Sequence, residues 1–225
     1  MPEPFDRARL AATLRACRAL RHELATPLSA AALHLEVARR AADRAGGGVP
    51  EKVLSSLMTA LSQVERASML LDVLTALGDA RAGEPGIVDF RDLVIRAARG
   101  VAPELDALGL ECRDPELSGA GLVFGFGVEL QNAVREALLA ASRWAGKGEA
   151  LLRVEDRLGT ASFSFRVPLG AEAPGDMLFR PYSRPGAGFG PFAARWTFEA
   201  HGGRLEGLEK EGFVTVTGSV PQVAP

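Results

Sequence analysis

The sequence predicts an α + α/β protein: a long helical hairpin that forms a dimeric four-helix bundle, followed by a two-layer α/β sandwich. Three observations lead to this fold class. Two long segments carry apolar residues at helical spacing, with a glycine-rich turn between them. A Gly-Glu-Pro-Gly run at residues 83–86 marks a domain boundary. Beyond it, helical segments are interleaved with pairs of short strands, which is typical of helices packed on one face of a sheet.

The first segment, residues 5–44, is predicted to form one helix. Arg21 is the one unsuitable member of its apolar stripe, and alanine fills many of the remaining positions and favours helix. Cys17, one of two cysteines, falls on the stripe and is interpreted as a packing residue. Pro27 removes a backbone N–H and is expected to kink the helix. The stripe consists of Leu10, Leu14, Cys17, Arg21, Leu24, Leu28, Ala31, Leu35 and Ala38.

A second long helix is predicted after the turn Gly46-Gly47-Gly48-Val49-Pro50, which no helix crosses. Its stripe consists of Leu57, Ala60, Val64, Ala67, Leu71 and Leu74, widened by Leu54, Met58 and Leu61. Two helices with stripes this wide cannot bury them within one chain. Two copies paired about a two-fold axis form a four-helix bundle, so we predict a homodimer.

The boundary divides the chain into a hairpin at residues 1–82 and an α/β domain at residues 83–225. Within the second domain, strands are predicted at residues 87–90, 122–126, 151–156, 161–167, 204–208 and 213–220. Helices are predicted at 91–108, 129–144 and 192–200. We expect Pro103 to divide the first of these helices and His201-Gly202-Gly203 to end the last. Trp144 and Trp196 are expected in the core.

The composition limits the classes of partner. Lys and Arg number 26 against 28 Asp and Glu, which leaves a net charge of -2 and no basic run for nucleic acid or an anionic membrane. The sequence shows neither a secretory signal nor an apolar run of about 18 residues. Two cysteines make neither a disulfide framework nor a metal site. We therefore expect a cytoplasmic protein that binds no metal, nucleic acid or membrane by itself.

The strongest chemical signal is the run Arg21-His22-Glu23-Leu24-Ala25-Thr26-Pro27-Leu28, inside the first helix. An imidazole has an unperturbed pKa of about 6.5, which suits phosphate or proton chemistry. Glu23 places a carboxylate beside His22, and the Thr26 hydroxyl follows one helical turn later. The other two histidines lack such neighbours: His34 is interpreted as a surface residue and His201 as a turn residue.

This run resembles the phosphoacceptor box of sensor histidine kinases, and the second domain resembles their ATP-binding domain, so that the resemblance covers nearly the whole chain. It implies that His22 is the phosphoacceptor and that Glu23 holds the second imidazole nitrogen. It also suggests that the Thr26 hydroxyl orients a water. From the same helix we predict that Arg18 meets a phosphoryl oxygen and that Leu33 contacts a docked receiver domain.

The second domain departs from this family at its nucleotide site. Ala140 stands where the family has the asparagine that holds magnesium, whereas an acidic residue, Glu136, survives one turn earlier. The strand that should lead to an adenine-binding aspartate runs into Pro-Leu-Gly-Ala-Glu, where only Gly170 of the family's glycine turn remains. Gly188 and Gly190 are left from the second glycine box. Magnesium requires oxygen ligands, so we predict a degenerate nucleotide site.

We therefore predict a histidine phosphotransferase of a two-component phosphorelay with a pseudo-ATPase second domain. His22 passes phosphoryl groups between receiver-domain aspartates. No cofactor of its own is expected, because the receiver supplies the magnesium. The expected partners are response-regulator receiver domains, an upstream hybrid or sensor kinase, and a second copy of the chain.

Two alternatives remain open at the level of sequence. The first is a sensor histidine kinase core that autophosphorylates His22 with ATP and magnesium through a divergent site. The second is a non-enzymatic scaffold or inhibitor that binds a response regulator or a kinase. Nucleotide binding distinguishes the first alternative, and a His22→Ala variant that keeps its partner function distinguishes the second.

Overall fold

The computed structural model describes residues 2–44, 51–79, 84–119, 121–157, 159–172, 177–180 and 190–223. The chain divides into two compact units, one of which is Leu14–Asp79 and the other Ala80–Pro225 together with Met1–Thr13. The predicted glycine turn at residues 46–50 lies outside the described residues, as does Gly83 of the predicted boundary.

Two long helices make up the hairpin region. Helix α1 spans Pro2–Arg44 and helix α2 spans Glu51–Asp79, so both predicted helices are confirmed. The helix α1 continues through Pro27. Each helix buries one narrow stripe at spacings of three, four and seven residues. The buried positions of this stripe are Pro27, Ala31 and Ala38 on α1 and Val53, Ser56, Ala60 and Ala67 on α2, and Ala12 nearer the start of α1 is buried as well.

Eight of the larger apolar residues described in the hairpin are exposed in the single chain. They are Leu28, Leu33 and Leu35 on α1 and Leu54, Leu57, Met58, Leu61 and Val64 on α2. Cys17 is exposed as well, so it does not pack within the single chain as its interpretation as a core residue requires. The physical reason is its angle on the helix: Cys17 lies about five turns from Leu35 on the same open flank. Of the predicted stripe residues whose side chains the structure describes, only four alanines are buried within one chain (Ala31, Ala38, Ala60 and Ala67).

The second unit contains eight strands and three helices among its described residues. The strands are β1 Gly86–Asp89, β2 Leu110–Cys112, β3 Glu116–Ser118, β4 Leu122–Gly125, β5 Gly148–Arg157, β6 Thr160–Pro168, β7 Arg204–Lys210 and β8 Phe213–Pro221. The helices are α3 Phe90–Ala107, α4 Gly127–Ser142 and α5 Gly190–Ala200. The main sheet has the order β2-β5-β6-β8-β7, with β3 also paired to β5, whereas β1 and β4 form a separate antiparallel pair.

The core lies between one face of the main sheet and the three helices, as the predicted two-layer sandwich requires. Strand β6 alternates, burying Phe163 and Phe165 toward the helices while Ser164 between them faces the other side. The rings of Phe90, Phe163 and Phe198 pack with centroids 5.9 to 6.5 Å apart. Such aromatic pairs add about 0.5–1.5 kcal/mol each beyond the buried area. Both tryptophans are buried, as predicted.

Two details of this domain differ from the sequence predictions. Strands β2 and β3 were not predicted; each has three residues that are mostly exposed, so neither shows apolar alternation, and both pair in parallel with β5. Pro103 was expected to divide a helix, but α3 continues through it. Pro103 and Arg99 are both exposed, so the backbone carbonyl that the proline leaves without a helical donor can be hydrated.

No helix in the described part of the chain is both long and apolar enough to cross a membrane.

Candidate functional site

Helix α1 places residue 22 on the side of the helix opposite its buried stripe. At about 100° per residue, position 22 is about 180° around the axis from Ala31. Ala31 is only 4% exposed, which fixes the inward side of the helix. Position 22 therefore lies on the outward side of α1. The side chains of Arg18, His22 and Glu23 lie outside the described residues.

Three predicted contact positions share this outward side with position 22. Residues 18 and 26 are each one turn away, and residue 33 follows three turns after 22, all within about 40° of it. Thr26 is exposed and Leu33 is 63% exposed, so both side chains are accessible to a docking partner. The helix thus brings the predicted acceptor position, hydroxyl and apolar contact onto one accessible face.

A charged cluster extends this face and was not recognised in the sequence. Glu36 accepts hydrogen bonds from Arg39 Nε at 2.9 Å and from Arg40 Nε at 2.7 Å. Both hydrogen bonds lower the pKa of the Glu36 carboxyl, which falls to about 2, and the bond from Arg39 has the larger effect. Arg40 lies about five turns after position 22, at the same angle. Arg39 and Arg40 follow Glu36 by three and four residues, and this spacing could have indicated the cluster in the sequence.

In the second domain, α4 carries two of the five residues predicted for the degenerate nucleotide site, Glu136 and Ala140. Ala140 is 1% exposed and its methyl group packs in the core. Glu136, one turn earlier, is only partly buried, and its Oε1 lies 3.7 Å from Arg135 Nη1. The other carboxylate oxygen meets α5, because a Cβ atom added to Gly190 would collide with Glu136 Oε2. Two of the predicted site residues, Glu136 and Gly190, are therefore in direct contact.

The segment after β6 packs against the turn that follows α4. The Gly170 N–H donates to the Trp144 carbonyl at 2.8 Å. A Cβ atom on Gly170 would lie 3.0 Å from that oxygen and 3.1 Å from the Ala145 carbonyl oxygen. The lack of a side chain at Gly170 therefore relieves a tight contact with the turn that follows α4. Glu172, the carboxylate of this segment, is exposed, and Gly188 lies outside the described residues.

His201 lies in the turn at the end of α5, as predicted, and its side chain is also buried, which was not predicted. Its Nδ1 lies 2.7 Å from the Thr197 carbonyl, and its Nε2 lies 3.1 Å from the Phe126 backbone nitrogen. A carbonyl only accepts and a backbone N–H only donates, so the ring is neutral with its hydrogen on Nδ1. This imidazole joins the end of α5 to the start of α4. Gly125 is the sequence feature that could have indicated this contact, because a side chain at position 125 would collide with the imidazole ring.

The turn after His201 explains why α5 ends there. Gly202 has φ 72°, and its N–H donates to the Glu199 carbonyl at 3.0 Å. The Gly203 N–H donates to the Phe198 carbonyl at 2.9 Å. These two bonds form a Schellman motif, which satisfies carbonyls at the end of a helix and favours glycine at the left-handed position. The predicted helix end at His201-Gly202-Gly203 is confirmed.

A cavity of about 520 Å³ lies at the edge of the sheet, but it contains none of the predicted site residues. Its walls come from β7, from the open side of β8, from Leu178 and Phe179, and from Arg195 of α5. The Arg195 guanidinium already pairs with Glu199, 3.3 Å away. We assign no chemistry to it.

Helices packed on one face of this sheet, preceded by two long helices, constitute a histidine-kinase-like fold. The histidine kinase AdeS of Acinetobacter baumannii matches with a TM-score of 0.55 and 18% identity, over 90% of this chain and 98% of its own. A mycobacterial sensor histidine kinase, MprB, matches with a TM-score of 0.51 and 21% identity, over 62% of this chain and 97% of its own.

A third solved structure, full-length ShkA in complex with AMPPNP, matches with a TM-score of 0.56 and 20% identity. The match covers 91% of this chain and 45% of ShkA, so this chain spans less than half of that protein. No protein-family model matches the sequence. No curated protein matches it either.

The described residues of the predicted nucleotide site, Ala140 and Glu136, do not fit a magnesium ion, and Gly188 with its neighbours lies outside the described residues. Ala140 offers a buried methyl group instead of an oxygen ligand, and the Glu136 carboxylate is directed at α5. In the described part of the chain, no three His, Cys, Asp or Glu side chains are grouped so that they could hold a metal ion. We therefore derive no step through a bound nucleotide.

Proposed function

We propose that this chain is a histidine phosphotransferase of a two-component phosphorelay. The observation that carries the proposal is the mismatch at the nucleotide position, where Ala140 is buried and Glu136 contacts Gly190. A chain that cannot hold ATP with magnesium needs another source of phosphate. The outward face of α1 offers the acceptor position to such a source.

The proposed transfer needs only chemistry that the partner and His22 supply. The imidazole nitrogen of His22 attacks the phosphorus of an aspartyl phosphate on a receiver domain. A nitrogen–phosphorus bond forms while the bond between phosphorus and the aspartyl oxygen breaks, and its electron pair stays on the carboxylate. Magnesium bound to the receiver neutralises the charge, so positioning is the main task of this chain. Transfer to a second receiver reverses these steps.

The neighbours of His22 have assigned roles in this proposal. Glu23 accepts a hydrogen bond from the second imidazole nitrogen and supports the positive charge on the ring. Arg18 meets a phosphoryl oxygen of the docked receiver. The exposed Thr26 hydroxyl orients a water for hydrolysis, and the exposed Leu33 side chain contacts the receiver surface.

A second copy of the chain is the proposed partner of the hairpin. Five apolar side chains of α2 and two of α1 are exposed on one flank of these helices (Leu54, Leu57, Met58, Leu61 and Val64, with Leu28 and Leu35). A continuous apolar flank of this kind marks an interaction surface. Its pairing in a dimeric four-helix bundle presents two acceptor faces to receivers. The second domain serves as an additional receiver contact.

A transfer assay tests the proposed function. The purified chain is incubated with a receiver domain that carries labelled aspartyl phosphate, without ATP. We expect acid-labile, base-stable label on this chain, and none on the His22→Gln variant. His34→Gln, on the same helix, is the matched control and should retain the label. A wild-type chain that binds the receiver but takes no label indicates a scaffold and contradicts the proposal.

A further inference from the structure

Strand β7 lies at one end of the main sheet and has a free edge. It spans Arg204–Lys210 and pairs with β8 and with no other strand in the described part of the chain. Every residue from Glu206 to Lys210 is exposed. An exposed edge strand presents unpaired N–H and C=O groups, which are a template for a strand of another chain. The edge of β7 is therefore a candidate interaction surface.

Three exposed side chains follow one another along one face of this edge strand. Residues 206, 208 and 210 lie on the face away from the helices, because Gly207 between them is paired with the buried Val216. Leu208 is 61% exposed and the Lys210 side chain is 71% exposed. Glu206, Leu208 and Lys210 thus present a carboxylate, an apolar group and an ammonium group in that order.

Two copies of β7 can pair as antiparallel strands about a two-fold axis perpendicular to the sheet, and the position of the axis decides which side chains meet. An axis at Gly207 places Arg204 opposite Lys210, which are like charges. An axis at Glu206 places the two copies of this carboxylate opposite each other. An axis at Leu208 places the two leucines opposite each other and each Glu206 opposite Lys210 of the partner subunit. Opposite charges stabilise a cross-strand pair and like charges destabilise it.

We propose that β7 is a self-complementary edge through which two copies of this chain associate. Charged side chains on an edge strand ordinarily prevent its pairing with other chains. On β7 the charges oppose the registers centred on Gly207 and Glu206 but favour the register centred on Leu208. Lys210 Nζ lies 3.3 Å from Glu211 Oε1 in its own chain, but both side chains are 71% exposed. So open an ion pair contributes little and can exchange partners.

Association through β7 is weak and adds to the proposed pairing of the hairpins. The overlap of residues 206–210 is too short to bury the total of about 1,200–2,000 Å² that is usual for a stable interface. We therefore expect a Kd of about 0.1 mM, so that at about 5 μM the contact is dissociated and only hairpin pairing remains. A chain with two different two-fold contacts joins its dimers into larger assemblies, which raises the local concentration of acceptor positions.

Charge reversal tests the proposed register. By sedimentation velocity, the wild-type chain should have a higher average mass at about 0.5 mM than at about 5 μM. Glu206→Lys and Lys210→Glu should each abolish this increase, because each places like charges opposite each other. The double variant exchanges the two charges, so the increase should return.

Glu209→Lys is the matched control for Glu206→Lys. It changes the net charge by the same amount, but residue 209 pairs with the buried Val214 and lies on the other face of β7, so the mass increase should remain. The proposal is overturned by a wild-type chain of equal mass at both concentrations, by single variants that associate like the wild type, or by a double variant that stays dissociated. Loss of association in Glu209→Lys also overturns it, since this indicates a general charge effect.

The β7 contact can be tested separately from the hairpin and from phosphate transfer. Leu61→Glu alters the exposed flank of α2 and leaves β7 unchanged, so its mass should still rise with concentration. Lys210→Glu should still take label on His22 from a phosphorylated receiver. Failure of the proposed phosphate transfer therefore leaves the β7 contact standing, and the reverse is equally true.

Discussion

Single residues in this chain owe their roles to different kinds of neighbours. The chemistry around His22 is local, since Glu23 and Thr26 follow within one helical turn. His201 depends on Phe126, which is distant in the sequence and donates its backbone N–H to the imidazole. The neighbours of His22 could therefore be recognised in the sequence, whereas the contact between His201 and Phe126 could be found only in the folded structure.

Replacement of His201 by alanine should destabilise the second domain. The change leaves the Phe126 N–H without its imidazole acceptor and opens a cavity beside Gly125. We expect the free energy of unfolding in urea to fall by about 2–4 kcal/mol. The control is His34→Ala on α1, which is partly exposed and should change the value by less than about 0.5 kcal/mol. Equal effects of the two substitutions contradict this role of His201.

Among the elements, those with a strong period were predictable. Strands β6 and β8 alternate, and α3 and α4 repeat at helical spacing, so their positions were predicted to within a few residues. Strands β2 and β3 were missed because a three-residue strand carries no period. The contact between α4 and α5 at Glu136 was also missed, since no local pattern joins residues so far apart.

Substitution of two glycines by alanine, one at the end of α5 and one inside α3, should change the stability in opposite directions. Gly202 has φ 72° at the end of α5, where a Cβ atom is strained, so Gly202→Ala should lower the stability by about 1 kcal/mol. Gly100 lies inside α3 with open space around it, so Gly100→Ala should raise the stability by about 0.5–1 kcal/mol. Urea unfolding of both variants measures the difference, and shifts of the same sign contradict the assigned helix end.

For the molecule as a whole, the sequence predicted two helices joined to an α/β domain, but it did not predict how the helices divide their apolar residues. Alanines face inward and leucines stay exposed on a flank, although both follow the same period. Periodicity identifies the apolar side of a helix. It does not show which of these apolar residues pack within the chain and which stay exposed on its surface. The division leads us to propose the leucines as the dimer surface.

A charge on that flank should dissociate the dimer. Leu61 of α2 is 59% exposed in the single chain, and Leu61→Glu would bury a carboxylate in the proposed interface. Sedimentation equilibrium should give a dimer for the wild-type chain and a monomer for this variant. Leu208→Glu is a matched control, because Leu208 is 61% exposed on β7 in the second domain. A wild-type monomer, or a Leu61→Glu dimer, contradicts the proposed bundle.

The source of the phosphate on His22 is the central claim, and one paired labelling measurement tests it most directly. One sample of the wild-type chain receives ATP labelled at the γ-phosphate with magnesium, and the other receives the labelled receiver phosphate. Acid-labile label on His22 is then quantified by mass spectrometry of the peptide that contains it. The account predicts label from the receiver and none from ATP. Label on His22 from ATP alone contradicts it and identifies an autophosphorylating kinase.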